Sequence, residues 1–141
     1  MIARILEVVL ATIGAQAQQE SPNECCGLLL GTQDLIDEAV PTRNVLAHPS
    51  RYQIDPEEHI AINRRLRGTS RSVIGAYHSH PRSVAIPSPR DLDEAHYPEF
   101  VWLIVSLAGN QPDFRAYRIV DGKAAAVSFL TVRYPELPGG S

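Results

Sequence analysis

The chain has 141 residues, of which 44% are hydrophobic and 21% charged, a composition typical of one globular domain that buries its own core. Its net charge of −3 lacks the basic excess that usually accompanies binding to nucleic-acid phosphates, so we expect no nucleic-acid partner. No segment of the sequence approaches the length of a transmembrane helix, so we expect no membrane partner either.

Residues 3–20 are predicted to form the first helix. Ile5, Val9 and Ile13 recur at helical spacing and make an apolar stripe suited to packing on a sheet. Glu7 interrupts the apolar stretch, which argues against a secretory signal peptide.

A short apolar strand is predicted over residues 25–31, with Glu24 at its entrance. Cys25 and Cys26 are the only cysteines, and neighbouring side chains of a strand face opposite ways. A disulfide framework and a C-x-x-C metal site are both excluded. We therefore expect two buried thiols and a reducing, cytoplasmic location.

The rest of the chain alternates between strands and helices. Strands are predicted over residues 35–40, 51–54, 72–77, 100–106, 114–120 and 124–132, the last two as a hairpin around Asp121-Gly122, and helices over residues 56–67 and from Ser88 onward. Residues 41–50 are predicted to be a loop. The pattern predicts an α/β fold, a mixed β-sheet sandwiched by helices in a single domain over residues 1–134, followed by a flexible tail over residues 135–141.

His78 and His80 are predicted to present two imidazoles to one point, because residues i and i+2 of a strand face the same way. A catalytic zinc typically takes three protein ligands and keeps its fourth position for water, and Asp91 can supply the third ligand from the start of a helix. Asp91 in a first helical turn, with Ser88 as N-cap, would also stabilise any helix. Spacing alone therefore leaves a metal site and a purely structural set of residues both open.

Two motifs carry a family resemblance. In the first, His78-Ser79-His80-Pro81 is followed by Ser88 and Asp91 at the spacing H-x-H-P-x6-S-x2-D. In the second, residues 22–31 place a glutamate before an apolar strand and a glycine. Residues 116–122 form a third segment that is similar to the small prokaryotic members of the same family. The chain thus resembles, over most of its length, the JAMM (MPN-plus) zinc metallopeptidases of the compact prokaryotic type.

The resemblance implies a JAMM/MPN fold, which is related to that of cytidine deaminases, and one Zn²⁺ per chain bound by His78, His80 and Asp91. It implies that Glu24 activates the zinc-bound water, acting first as base and then as acid toward the leaving amine. It assigns Ser88 to stabilising the oxyanion of the tetrahedral intermediate, while the Ser-Pro-x-Asp pattern independently predicts an N-cap.

The reaction that the resemblance implies is hydrolysis of the bond after the C-terminal Gly-Gly of a ubiquitin-like or sulfur-carrier protein. Large deubiquitinases of the family carry insertions beside the site, whereas only eight residues separate Asp91 from Phe100 here. A compact enzyme is therefore expected. The alternative is a non-catalytic MPN scaffold for protein contacts, and the sequence gives no indication of the oligomeric state.

Two related zinc families fit less well. Deaminases need H-x-E with P-C-x-x-C, which the sequence lacks. RadC-type proteins share the H-x-H-P stretch but carry a helical N-terminal extension that we do not expect here. His48, His59 and His96 are expected to have surface or capping roles. Ser106 and Asn44 are suggested as lining for a substrate groove.

Overall fold

The structure is a computed structural model and describes residues 2–33 and 35–133. The described elements, in chain order, are β1 (Ile2–Leu6), α1 (Glu7–Glu20), β2 (Cys26–Thr32), β3 (Leu35–Thr42), α2 (Pro56–Leu66), β4 (Ser72–His80), α3 (Pro89–Asp93), β5 (Val101–Ser106), β6 (Asp113–Val120) and β7 (Lys123–Val132). The predicted tail over residues 135–141 lies outside the described residues.

The strands form a closed barrel in the order β1-β3-β2-β4-β5-β6-β7. Pairs β1–β3, β1–β7 and β4–β5 are parallel, and the other neighbouring pairs are antiparallel. β4 lies between β2 and β5 and is buried over its last six residues, Gly75 to His80. The end of β4 is therefore a rigid platform for side chains.

Two apolar clusters place helices on both faces of the barrel sheet. α1 contributes Val9 and Ile13 to a core that includes Leu29 and Leu103. α2 contributes Ile62 and Leu66 to a second core that contains, among others, Leu28, Ala76 and Trp102. The predicted α/β class, a mixed sheet with helices on its two faces, is confirmed.

The prediction of helix was wrong for residues 3–6, which belong to β1. Ile5 pairs with Thr131 of β7 and with Ile36 of β3. Ile5 also packs in the same core as Val9 of α1, so an apolar stripe of helical spacing runs across the strand–helix junction. Because the partners of β1 lie far along the chain, the local pattern does not reveal the strand.

The predicted strand over residues 51–54 is wrong as well, since only an isolated bridge pairs Ile54 with Asn44. The hairpin of β6 and β7 is confirmed, and its turn residues Asp121 and Gly122 have positive φ values of 52° and 73°. This turn conformation favours the Asp-Gly pair.

None of the helices in the described part of the chain is both long and apolar enough to cross a bilayer.

Candidate metal centre

The end of β4 carries two buried imidazoles. His78 and His80 expose only 2% and 4% of their surface and are separated by Ser79, so they share one face of the strand. The parallel neighbour β5 places Ile104 beside His78 and Ser106 beside His80. The central position of β4 thus fixes the backbone from which both imidazoles project.

Asp91 reaches the two imidazoles from the first turn of α3. Ser88 and Asp91 form a capping box, in which Ser88 Oγ accepts from the Asp91 N–H at 3.1 Å and Asp91 Oδ2 accepts from the Ser88 N–H at 2.9 Å. Pro89 occupies the first helical position, where the loss of an N–H costs no helix hydrogen bond. The predicted N-cap role of Ser88 is confirmed.

Three potential ligand atoms converge at this point. His78 Nε2 lies 3.2 Å from His80 Nε2, and each of these nitrogens lies 3.0 Å from Asp91 Oδ2. Ligands of a tetrahedral zinc, with bond lengths near 2.0–2.1 Å, stand about 3.3–3.4 Å apart. Two imidazole nitrogens and one carboxylate oxygen are also a donor set that zinc prefers. Donor types and spacing therefore fit a metal ion.

The electrostatics of the three groups suit metal binding. Burial lowers the pKa of His78 and outweighs the opposing hydrogen bond to Asp91, so the ring is held neutral. Burial would raise the pKa of Asp91, but hydrogen bonds from both imidazoles and the Ser88 N–H hold it well below the usual range. The set thus contains a neutral imidazole and a stable carboxylate, the forms in which these groups bind metals.

His80 behaves differently from His78. Burial acts to lower its pKa, but hydrogen bonds with Asp91 and with the carbonyl of Val84 raise it overall. The Nδ1–H of His80 donates to Val84 O at 2.8 Å, which leaves Nε2 to face Asp91 and His78. This hydrogen bond keeps a proton on Nδ1, so loss of the Nε2 proton leaves the tautomer that a metal ligand needs.

Glu24 stands beside the three ligands because the β2–β4 ladder continues past the end of β2. Cys26 lies opposite His78, and the Ser79 N–H donates to Cys25 O at 3.1 Å, a register that brings Glu24 opposite His80. The Cys25 N–H donates to Ser79 Oγ at 2.8 Å and secures this extension. Glu24 therefore faces the same side of the sheet as both imidazoles.

The Glu24 carboxyl group is buried, with 5% of the residue exposed. Its Oε1 has no hydrogen-bond partner among the described residues. Burial raises the pKa of Glu24 to about 8, against an attraction from His80 and with a further rise from Asp91. In the metal-free protein this carboxyl group is therefore mostly protonated near neutrality, and a cation bound beside it would favour the carboxylate that a general base requires.

Ser88 Oγ is a capping acceptor that keeps a free donor side. Its lone pair accepts from the Asp91 N–H, and the hydroxyl hydrogen has no acceptor among the described residues. A serine hydroxyl donates one hydrogen bond in addition to those that it accepts. Capping and donation to a substrate oxygen are therefore compatible for this residue.

Asn44 and Tyr52 also contribute to the centre. The Tyr52 ring stacks on His78, with ring centroids 4.3 Å apart and an interplanar angle of 17°. The Asn44 side chain is buried and donates to Glu24 O at 3.0 Å. Sequence reasoning missed Tyr52 and suggested Asn44 only as groove lining. No local signal marks these roles, because both depend on contacts between distant segments.

The remaining residues considered from the sequence are not part of the cluster. Ser106 is buried, and its Oγ donates to Ser83 O at 2.5 Å and accepts from the Ala108 N–H at 3.1 Å. His48 Nδ1 accepts from the Ser50 N–H at 3.1 Å. Within the described residues, the group that could hold a metal ion is formed by His78, His80 and Asp91.

Residues 6–120 match the sequence profile of the prokaryotic homologues of the JAB domain. Desampylase from Haloferax volcanii is 38% identical over 96 residues, which is 66% of this chain and 69% of that protein. The CysO-cysteine peptidase of Mycobacterium tuberculosis is 32% identical over 111 residues, 77% of this chain and 76% of that one. A probable TtuB-protein conjugate cleaving protease from Thermus thermophilus is 31% identical over 119 residues, covering 82% and 75%.

Solved structures agree with the fold. Protein DSY2949 from Desulfitobacterium hafniense superposes with a TM-score of 0.87 at 27% identity, covering 96% of each chain. AF2198, a JAB1/MPN domain protein from Archaeoglobus fulgidus, superposes with a TM-score of 0.61 at 22% identity, covering 92% of this chain and 98% of that one. The second likeness concerns the fold alone.

Proposed function

This chain belongs to the family of prokaryotic homologues of the JAB domain, and we propose that it is a zinc peptidase of the JAMM type that cleaves conjugates of a ubiquitin-like or sulfur-carrier protein after its C-terminal Gly-Gly. In this proposal one Zn²⁺ per chain is bound by His78, His80 and Asp91. Glu24 is the general base, and Ser88 is the oxyanion donor.

The observation that carries the proposal is the convergence of the three ligand atoms, 3.0–3.2 Å from one another, beside a buried glutamate. A structural cluster of this kind would satisfy its buried polar atoms internally. Here Glu24 Oε1 has no partner among the described residues, as expected for a group whose partners are a water and a substrate.

Zinc bound at this centre would supply a Lewis acid, which lowers the pKa of a bound water to about 7 and polarises the scissile carbonyl. Glu24 takes a proton from the attacking water as the new C–O bond forms. Glu24 then delivers that proton to the amine as the C–N bond breaks. The Ser88 hydroxyl donates to the oxygen of the tetrahedral intermediate, a hydrogen bond worth about 2.7–4 kcal/mol in comparable sites.

The substrate class rests on the relatives and on the shape of the site. The relatives are named a desampylase, a CysO-cysteine peptidase and a probable TtuB-protein conjugate cleaving protease, and we propose from these names that the substrate is a conjugate of a ubiquitin-like or sulfur-carrier protein. α3 ends at Asp93 and β5 begins at Val101, so the segment beside the centre is short. We propose that the reaction takes place in the cytoplasm, which the two free buried thiols support.

The test compares the zinc-loaded wild type with Glu24→Gln on fusions in which a sulfur-carrier protein ends in Gly-Gly followed by a cysteine or a short peptide. We expect wild type to release the group after Gly-Gly and the Glu24→Gln variant to be about 10²–10⁴-fold slower, because general acid–base catalysis contributes on this scale. Mass spectrometry of the products identifies the bond that is cut.

Glu57→Gln is the matched control, since Glu57 is exposed in the first turn of α2. It should cleave as the wild type does. Zinc content is measured for each variant, because Glu24→Gln is expected to retain the metal. Equal cleavage by wild type and Glu24→Gln would remove Glu24 from the mechanism. A wild-type protein that holds zinc and cleaves no Gly-Gly fusion would favour the non-catalytic scaffold.

A further inference from the structure

The two imidazoles of the centre are held in different ways. His80 donates from Nδ1 to the carbonyl of Val84, whereas His78 Nδ1 is buried and has no hydrogen-bond partner among the described residues. A metal-binding histidine almost always donates its second N–H to a carboxylate, a carbonyl or a water, which fixes the plane of the ring. Within the described residues, no hydrogen bond at Nδ1 therefore fixes the plane of the His78 ring.

The face of the His78 ring is instead in contact with the ring of Tyr52. The Tyr52 ring lies nearly parallel to His78, with centroids 4.3 Å apart and an angle of 17°. A flat aromatic neighbour at this distance leaves no space for the imidazole to rotate out of its plane. The contact with His80 is tilted by 55° at 5.1 Å, so it cannot restrain His78 in the same way.

Tyr52 is itself held from both sides by one buried amide. Asn44 Nδ2 donates to Arg51 O, and Asn44 Oδ1 accepts from the Gln53 N–H, each at 3.0 Å. The second hydrogen of Nδ2 donates to Glu24 O, also at 3.0 Å. The residues before and after Tyr52 are thus tied to the side chain that also holds the Glu24 backbone.

We infer that Tyr52 is a positioning residue for the metal centre, whose ring fixes the His78 imidazole in the plane that directs Nε2 toward His80 and Asp91. The inference rests on the proposed zinc centre. The face of the ring performs this role, so the phenolic hydroxyl is dispensable. Asn44 anchors Tyr52 and holds the Glu24 backbone, so one amide links the position of a ligand to that of the base.

The test measures metal affinity without any activity assay. Zn²⁺ dissociation constants are obtained by competition with a chromogenic chelator, and Co²⁺ spectra report the ligand geometry. Tyr52→Leu should weaken zinc binding by about 10–100-fold, the range found when an outer-shell partner of a metal ligand is lost. Tyr52→Phe keeps the ring and should stay within about threefold of wild type.

Tyr97→Leu is the matched control. Tyr97 stacks on Phe100 at 4.4 Å and 14°, and it lines the same cavity of about 550 Å³ as Tyr52. Its replacement should leave zinc affinity unchanged. If circular dichroism shows that Tyr52→Leu does not fold, Tyr52→Met replaces it.

Wild-type affinity in the folded Tyr52→Leu or Tyr52→Met variant would overturn the role of Tyr52 and leave the proposed function intact. An equal loss in Tyr97→Leu would also overturn it, because general loosening of the cavity would then explain the effect. Failure of the wild type to bind zinc would overturn the metal centre and this inference together.

Discussion

The fold buries the carboxyl group of Glu24, so the stability of the protein depends on pH. In the metal-free protein, burial raises its pKa to about 8 from an ordinary value of 4.5. The folded state therefore binds the proton more tightly than the unfolded state. The stabilisation from protonated Glu24 is complete below pH 4.5 and is lost as the pH rises through about 8.

Glu24→Gln replaces the carboxyl by a neutral group of the same shape, so it should not show this loss. With a chelator present, we expect the free energy of unfolding of Glu24→Gln to rise relative to wild type between about pH 5 and 9, by a few kcal/mol. Urea denaturation at three pH values measures the difference. Glu57→Gln should track wild type, and a difference that is constant with pH would contradict the raised pKa.

At the scale of residues, the sequence predicted those members of the site whose geometry is local. His78 and His80 follow from the two-residue period of a strand, and Ser88 with Asp91 follows from the pattern of a helix N-terminus. Tyr52 could not be predicted, because it reaches His78 from a loop whose course Asn44 determines.

At the scale of elements, the Tyr77 side chain of β4 packs so closely on β2 that β2 requires a glycine at position 27. The Tyr77 ring of β4 crosses over Gly27 of β2, and a Cβ at Gly27 would lie 2.3 Å from the Tyr77 ring. Tyr77 is fully buried and donates from its hydroxyl to Gln16 Oε1 at 2.5 Å, so the ring cannot move aside without breaking that bond.

Gly27→Ala should therefore lower the free energy of unfolding by about 1–3 kcal/mol, the cost of overpacking a core. Gly14→Ala is the control, since its nearest contact would be an ordinary 3.6 Å to Phe114 and Gly14 lies within α1. This variant should gain about 0.5–1 kcal/mol from helix propensity. Chemical denaturation compares the two, and a stable Gly27→Ala would contradict the packing of Tyr77.

The elements that the sequence predicted correctly are those with local signals. β5 is buried along its whole length, as its continuous apolar run indicates, and α2 begins after Asp55, which caps Glu57 N–H at 2.9 Å. β1 was missed because its identity as a strand depends on β7, which follows it by most of the chain length. Closure of the barrel is likewise a property of strand pairing that no single segment encodes.

At the scale of the whole molecule, the proposed metal centre joins a central strand of the sheet to a short helix that follows it along the chain. His78 and His80 belong to the centre of the sheet, whereas Asp91 belongs to a helix of five residues with no buried residue. The proposed ligand set therefore ties a helix of five residues to the buried end of β4. A metal bound here adds a cross-link that exists only in the folded state.

We expect zinc to raise the thermal stability of the entire domain for this reason. At a free zinc concentration of about 100 times its dissociation constant, the folded state gains about 2.7 kcal/mol. For a chain of 141 residues this corresponds to an increase in Tm of about 9 °C. Calorimetry with zinc and with chelator measures the shift. His78→Ala should melt at the same temperature in both, because two remaining ligands bind zinc weakly. An equal shift in wild type and His78→Ala would mean that zinc stabilises the protein elsewhere, and the centre at the end of β4 would lose its support.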